Sequence, residues 1–312
     1  MPSGKWNLAN FSLHASQLMA NESTFTLFKF ALADISGKYL GADVGAFGDT
    51  LVRSFFNKTI FGLSPNYRSL SVEAAIALNV WMYVAHQLHS AVTECWNGRA
   101  NIALIDAAAA YWIGSLPLEG NSTQGYLLYS LSEKAASLFM QSSNAGPSST
   151  NKKILQLFKQ ASILLSSPRA CQDGSTTMSH LRSVIIQSIS QMTIPLIQHL
   201  IANLKQGDRL RVKIYAHAIV PLFVGCRSST FYYLKSKLLE DSYSADDVEE
   251  IISKIEDVYE CLDLSCHDIG SYQGITTCVD ATADTPLAGF VPTTDIRSVR
   301  LQTALSLYNI FV

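Results

Sequence analysis

Charged residues are scarce in this 312-residue chain: Asp, Glu, Lys and Arg make up 15% of it, and the formal net charge at pH 7 is -2. No stretch gathers Lys and Arg into a basic stripe that could neutralise a row of phosphates, so no nucleic-acid partner is expected. Hydrophobic residues reach 48%, which excludes a disordered protein and provides for a sizeable core. The surface must therefore be rich in uncharged Ser, Thr, Asn and Gln, as is common outside cells.

Long apolar runs and enzyme motifs are also missing. The apolar stretch 184–201 is interrupted by Gln187, Gln191 and Pro195, so no segment provides the ~20 nearly unbroken apolar residues that cross a bilayer. The sequence contains no dinucleotide-binding Gly-x-Gly-x-x-Gly, no phosphate-binding Gly-x-x-x-x-Gly-Lys-Ser/Thr, no His-Glu-x-x-His and no Gly-x-Ser-x-Gly. We therefore expect a soluble chain that is not an enzyme and has no transmembrane segment.

The six cysteines stand at positions 95, 171, 226, 261, 266 and 278, and no two have the two-residue gap of zinc ribbons or thioredoxin-like sites. The even number of cysteines has two interpretations: three disulfides, or six reduced thiols in the core of a cytosolic protein. The late clustering of three cysteines in a turn-rich segment favours disulfides. Because the residues between Cys261 and Cys266 end a helix and turn outward, we expect these two cysteines to have different partners.

Four Asn-x-Ser/Thr sequons, at Asn10, Asn21, Asn57 and Asn121, lie in stretches that could be helix ends or loops. The first twenty residues lack the apolar region of a signal peptide, so we expect that peptide to have been removed or to lie outside this chain. Together with the cysteines, the sequons indicate a secreted, periplasmic or cell-surface glycoprotein.

Hydrophobic residues recur with the helical period over most of the chain, and no segment shows convincing strand alternation. Pro195 and Pro221 fall inside two of the periodic segments and predict bends, and Ser244 with Asp247 resembles a capping box. The sequence therefore predicts an all-α, multi-helix bundle with kinked helices and disulfide-stapled loops. Helices are expected over about 71–97, 102–113, 126–141, 152–166, 178–204, 209–224 and 245–262.

We expect an irregular N-terminal segment, 1–70, packed on a helical domain, 71–295, that is followed by a tail, 296–312. A Ser-, Asn-, Gly- and Pro-rich stretch divides the domain into the candidate halves 71–141 and 152–270. A short pattern occurs in both halves, either from a duplication into two pseudo-repeated lobes or by coincidence on two amphipathic helices. Its members are Tyr83, His86 and Cys95 in one half and Tyr215, His217 and Cys226 in the other.

Several segments in a fixed order, spanning about Ser71 to Asp295, are similar to one known family. They are 81–95 (WMYVAHQLHSAVTEC), 105–120 (IDAAAAYWIGSLPLEG), 125–134 (GYLLYSLSEK), 192–198 (MTIPLIQ), 218–222 (AIVPL), 259–270 (YECLDLSCHDIG) and 287–295 (LAGFVPTTD). The chain resembles the algal low-iron-inducible periplasmic, or iron-assimilating, proteins, which are related to the phytotransferrins. The resemblance implies a role in iron acquisition, with ferric iron bound together with carbonate and passed to a membrane-bound uptake component.

Ferric iron prefers anionic oxygen ligands, so a site needs carboxylates and phenolates, with an imidazole as a further ligand. The candidate ligands are Tyr83, His86, Asp106, Tyr111 and Glu133. Each has an ordinary alternative: the tyrosines as core residues, His86 with His89 as a polar face or a site for a softer divalent metal, and Asp106 as a cap or local ion-pair partner.

Departures from the family pattern support a second function. Asp106 is followed by Ala107 where the family has an Asp-Glu pair, and Gln87 and Ser90 stand where acidic residues are expected after His86. Two alanines follow Lys134 in place of the Arg-Cys of the family. The second hypothesis is therefore a structural or interaction glycoprotein of the wall or cell surface that kept the fold and lost the metal site.

Overall fold

The computed structural model describes residues 47–60, 66–114, 127–143, 146–167, 169–172, 176–223, 227–275 and 278. Within these ranges the chain folds into helices and short connections, with a single isolated bridge, between Tyr272 and Ile275, and no strand. The prediction of an all-α, multi-helix fold is confirmed. The predicted tail, 296–312, lies outside the described residues, as does most of the segment 1–70.

The helices follow one another in chain order with few breaks. They are α1 (Phe47–Ile60), α2 (Asn66–Ala74), α3 (Trp81–Trp96), α4 (Ile102–Ile113), α5 (Leu128–Leu138), α6 (Ser149–Leu165), α7 (Thr177–Gln206), α8 (Arg209–Ile219), α9 (Ser228–Leu234), α10 (Val248–Glu256) and α11 (Cys266–Ile269). A π-helical turn, Ala75–Val80, joins α2 to α3, and another, Lys235–Leu239, follows α9.

The 30-residue helix α7 lies at the centre of the fold and packs against α3, α5, α6 and α8. Pro195 lies inside it, as predicted. The indole Nε1 of Trp81 on α3 donates a hydrogen bond to the carbonyl of Met192, 3.0 Å away and one turn before the proline. Helices from both predicted halves contribute to one continuous hydrophobic core around α7. Leu51 and Phe55 of α1 are buried in the same core.

Two predicted helices are shorter or less regular than expected. Helix α8 ends at Ile219, and Val220–Phe223, which contains Pro221, is a 3-10 turn, because proline has no N–H to continue the α-helical ladder. The capping box of Ser244 and Asp247 is present, but α10 stops at Glu256 and a separate 3-10 turn, Glu260–Leu262, follows. Asp263 then takes a left-handed conformation with φ 57°, which ends that turn.

Disulfides tie non-helical segments to the described helices, as predicted. Cys95 at the end of α3 is bonded to Cys171, with Cα atoms 4.7 Å apart, and Cys266 of α11 is bonded to Cys278. Cys261 is also disulfide-bonded, so Cys261 and Cys266 have different partners, as the sequence predicted. Cys226 lies outside the described residues.

Helix α7 is long and apolar enough to span a membrane by length and composition, and it is the one such helix in the described part of the chain. In its most apolar window, 72% of the residues are buried inside the fold. A core helix of a soluble protein has the same properties, so this helix is weak evidence for a membrane span.

Of the four sequons, Asn57 is exposed on α1, where a glycan could be accommodated. Asn10, Asn21 and Asn121 lie outside the described residues. Glycosylation of the chain stays a prediction.

Candidate functional site

Two of the predicted ligands, Tyr83 on α3 and Tyr111 on α4, are in direct contact. Their ring centroids lie 4.7 Å apart at an interplanar angle of 71°, an edge-to-face arrangement. Both side chains are partly buried, so the rings are fixed between the helices while part of each stays accessible. The contact forms because α3 and α4 pack side by side after a connection of only five residues, 97–101.

The electrostatics of the tyrosine pair disfavour a second negative charge in the absence of a cation. Burial, and then the charge of Tyr111, raise the pKa of Tyr83. A cation held between the two oxygens would offset this repulsion, since an opposite charge within a few ångströms favours the ionised form. Without a cation nearby, the phenol of Tyr83 therefore stays protonated at neutral pH more firmly than that of a single exposed tyrosine would.

His86 lies one turn after Tyr83 on α3 and is buried, with its Nε2 atom 3.4 Å from the hydroxyl oxygen of Ser90. One turn further on, burial and the charges of His86 and Arg182 lower the pKa of His89 to about 3. The charged groups that act on His89 are thus basic. The lowered pKa keeps His89 in the neutral form that binds metals, whereas the charge of Arg182 opposes a cation there, so a divalent metal on His86 and His89 stays a prediction.

Asp106 and Glu133 lie in different surroundings. Asp106 is exposed on α4, five residues before Tyr111. Glu133 on α5 is buried, and its Oε1 accepts hydrogen bonds from the backbone N–H of Ser148 at 2.8 Å and from the amide of Asn151 at 2.7 Å. Because Ser148 is the N-cap of α6, the carboxylate of Glu133 stabilises the start of that helix.

The Glu133 contacts belong to a buried network in which the side-chain oxygen of Asn151 accepts the indole N–H of Trp112 at 3.0 Å. Replacing Glu133 by Ala should lower the free energy of unfolding by about 3 kcal/mol, because two buried donors lose their acceptor. Glu133→Gln keeps an acceptor oxygen and should cost about 1 kcal/mol. Urea unfolding of the two variants at pH 7 tests this, and equal losses in both would contradict it.

A second cluster of polar side chains joins α2 to α8, and no sequence motif predicted it. The hydroxyl of Tyr215 donates to Oε1 of Glu73 at 2.7 Å, and Nε of Arg211 donates to Oε2 of the same carboxylate at 2.9 Å. Arg211 also reaches Asp208, the N-cap of α8, at 2.7 Å. The four-residue spacing of Arg211 and Tyr215 places both on one face of a helix, which is the one signal of this cluster in the sequence. Their shared partner could not be foreseen, because Glu73 is 142 residues from Tyr215.

The chain matches no family model, no curated protein and no solved structure. The resemblance to the algal iron-assimilating proteins therefore stays a prediction. Among the described residues, no group of three or more His, Cys, Asp and Glu side chains is placed to hold a metal ion. Tyr83 and Tyr111 are the two predicted ligands whose rings are in contact.

Proposed function

We propose that the protein is a disulfide-stabilised helical binding protein that captures ferric iron, together with carbonate, outside the cytosol and delivers it to a membrane-bound uptake component. The observation that carries the proposal is the contact between Tyr83 and Tyr111 at 4.7 Å on adjacent helices. The resemblance to the iron-assimilating proteins supports the choice of metal. The disulfides support an oxidising compartment.

The chemistry of the pair favours a hard cation. Phenolate oxygens are strong ligands for ferric iron, and binding would release the phenol protons, which the metal replaces. His86 on the same helix would supply a nitrogen ligand, and carbonate would supply further oxygens. Asp106 would have to reach the site from the exposed surface of α4, whereas Glu133 serves the start of α6.

The test is a titration of the full chain with ferric iron in the presence and absence of bicarbonate. Binding is monitored by the visible absorption of tyrosinate bound to iron. Tyr83→Phe and Tyr111→Phe should each weaken binding by at least about 100-fold, since even the outer partners of metal ligands are worth 10- to 100-fold. Both variants keep the ring contact, so far-UV circular dichroism should not change. Tyr232→Phe, at a tyrosine 65% exposed on α9, is the matched control.

Full-strength ferric binding by both variants would place the metal elsewhere. If the tyrosine variants do lose binding, Asp106→Ala decides whether the exposed carboxylate is also a ligand. A loss of affinity in this variant would mean that the Asp106 side chain turns toward the tyrosines when iron binds. No ferric binding by the parent protein at neutral pH with bicarbonate would reject the iron function.

The second candidate is a structural or interaction glycoprotein of the cell surface that has the same fold and no metal site. The placement of the acidic residues favours it: Glu133 is engaged by Ser148 and Asn151, and Asp106 points to solvent. An iron titration without response, combined with glycan on Asn57, would support this alternative.

A further inference from the structure

His199 on α7 lies where three helices meet. Its imidazole ring is stacked on the ring of Tyr215 of α8, with centroids 4.8 Å apart and an interplanar angle of 9°. Its Nε2 atom is 3.0 Å from the carbonyl oxygen of Leu131 on α5. A ring that donates Nε2–H to this carbonyl is held in a single orientation, and the same ring covers one face of the phenol.

The phenol under His199 is part of the connection between α2 and α8. Tyr215 is fully buried, and burial, together with the carboxylate of Glu73, raises its pKa well above the ordinary value, so the hydroxyl stays protonated and donates to Glu73. Arg211 holds the other carboxylate oxygen. The four side chains His199, Tyr215, Glu73 and Arg211, here called the latch, therefore tie α2, α7 and α8 together.

The charged groups that face His199 come from each of the surrounding helices. Lys134 of α5 and Arg211 of α8 oppose a positive charge on the imidazole, and Glu73 of α2 favours one. Glu73 already accepts hydrogen bonds from Tyr215 and Arg211, so an imidazolium would have to compete for it. Loss of solvation is the largest effect on His199 and lowers its pKa below the ordinary 6.5, although the hydrogen bond that the ring donates to the carbonyl of Leu131 and the charge of Glu73 act in the opposite direction.

We propose that the latch is an acid-sensitive joint: uptake of a proton by His199 separates its ring from Tyr215 and loosens the attachment of α2 to α8. The physical reason is that an imidazolium at this partly buried position is incompletely solvated and is opposed by Lys134 and Arg211, and the ring regains water when the joint opens. Stacking of an imidazolium on the phenol face recovers only a part of that loss. The joint uses none of the proposed iron ligands and does not depend on iron binding.

The direction in which pH changes the stability follows from the pKa of His199 in the folded and in the unfolded chain. The pKa of His199 is lower in the fold than in the unfolded chain, where it is near 6.5. Its contribution to stability is therefore complete above about pH 6.5 and is lost as the pH falls below that value. Burial also lowers the pKa of His89 to about 3 and that of His217 to about 4. These two residues therefore also make the parent protein less stable as the pH falls, and the comparison of variants must separate their effect from that of His199.

The experiment compares the full-length parent protein with His199→Gln and His180→Gln by urea unfolding at half-unit steps from pH 7 to pH 5. Glutamine can still donate to Leu131 but cannot take up a proton in this range, and His180 is an exposed histidine on the same helix. Between pH 6 and pH 5 the unfolding constant of the parent should rise up to about tenfold more than that of His199→Gln, the effect of one proton. His180→Gln should follow the parent.

Hydrogen exchange separates a local joint from a uniform loss of stability. On lowering the pH from 7 to 5, exchange corrected for intrinsic rates should increase first in Asn66–Ala74 and Arg209–Ile219 of the parent, while Ser149–Leu165 stays protected. His199→Gln should not show this early increase. Equal pH dependence in parent and His199→Gln, or simultaneous exchange of all three helices, would overturn the proposal.

A measurement on the parent covers the case in which His199→Gln does not fold. The nuclear magnetic resonance titration of the His199 ring protons should show a neutral imidazole down to a pH below 6.5. A ring that is protonated at or above that pH would also overturn the proposal.

Discussion

Gly270→Ala is expected to lower the free energy of unfolding by about 4 kcal/mol. Gly270 follows α11 with φ 78° and ψ -171°, a conformation that side chains other than glycine rarely adopt. A Cβ atom at this position would also lie 2.5 Å from the backbone carbonyl oxygen of Phe139, which cannot turn away as a side chain could. Urea unfolding measured by circular dichroism at pH 7 gives the loss directly.

The damage should be confined to the attachment of α11. The last carbonyls of this helix accept hydrogen bonds from two glutamine amides: Gln141 donates to His267 and Asp268, each at 2.9 Å, and Gln198 donates to Ile269 at 2.7 Å. Displacing Gly270 from Phe139 pulls these carbonyls away from their donors, which adds unsatisfied polar groups to the backbone strain.

Gly114→Ala is the matched control, because Gly114 has almost the same backbone conformation, with φ 77° and ψ -171°. Its added Cβ would meet the side chain of Leu127, at 2.8 Å, and no backbone atom is among its near contacts. We expect a loss of about 2 kcal/mol from the strain and a shift of Leu127. Losses of equal size in the two variants would show that the contact with Phe139 contributes nothing.

Removing the disulfide between Cys95 and Cys171 should cost about 4 kcal/mol, the second large effect. The two cysteines are 76 residues apart, and a cross-link over a long loop removes much of the conformational freedom of the unfolded chain. Cys95→Ala with Cys171→Ala is the suitable variant, because both sulfur atoms are buried and serine would leave hydroxyl groups in the core. Urea unfolding gives the loss relative to the parent.

The disulfide between Cys266 and Cys278 provides the comparison. It closes a separation of only 12 residues, so its removal should cost about 3 kcal/mol on the same account. A larger loss for the shorter loop would contradict the loop-entropy explanation. Thiol labelling of the denatured, unreduced parent should find no free thiol, and several labelled cysteines would contradict both the disulfides and the oxidising compartment.

Features that depend on neighbours in sequence were predictable. The segment expected to be helical at 102–113 is α4 with the same bounds, since the apolar period and the following Gly114 are local signals. The capping box of Ser244 and Asp247 was likewise readable, because its two residues are three apart. The long apolar period around Pro195 gave α7 within a few residues.

The candidate site was predictable only in part. Short connections bring neighbouring helices together, which is why Tyr83 and Tyr111 could be expected to meet. The environment of Glu133 could not be foreseen, because its partners lie on the next helix and the choice among nearby polar groups depends on how the helices rotate. The π-helical turn Ala75–Val80 was missed as well, since one extra residue in a turn hardly alters an apolar period.

The sequence by itself determined an all-α protein with a low surface charge, a central apolar helix and cysteines ready for disulfides, because composition, periodicity and capping act over a few residues. Only the tertiary structure decided which cysteines pair, which acidic residue is buried, and that His199, Tyr215 and Glu73 meet. These contacts join residues that are from 12 to 142 positions apart. They follow from how the helices pack around α7, because the side chains there must fill the space closely and every buried polar group must find a hydrogen-bond partner.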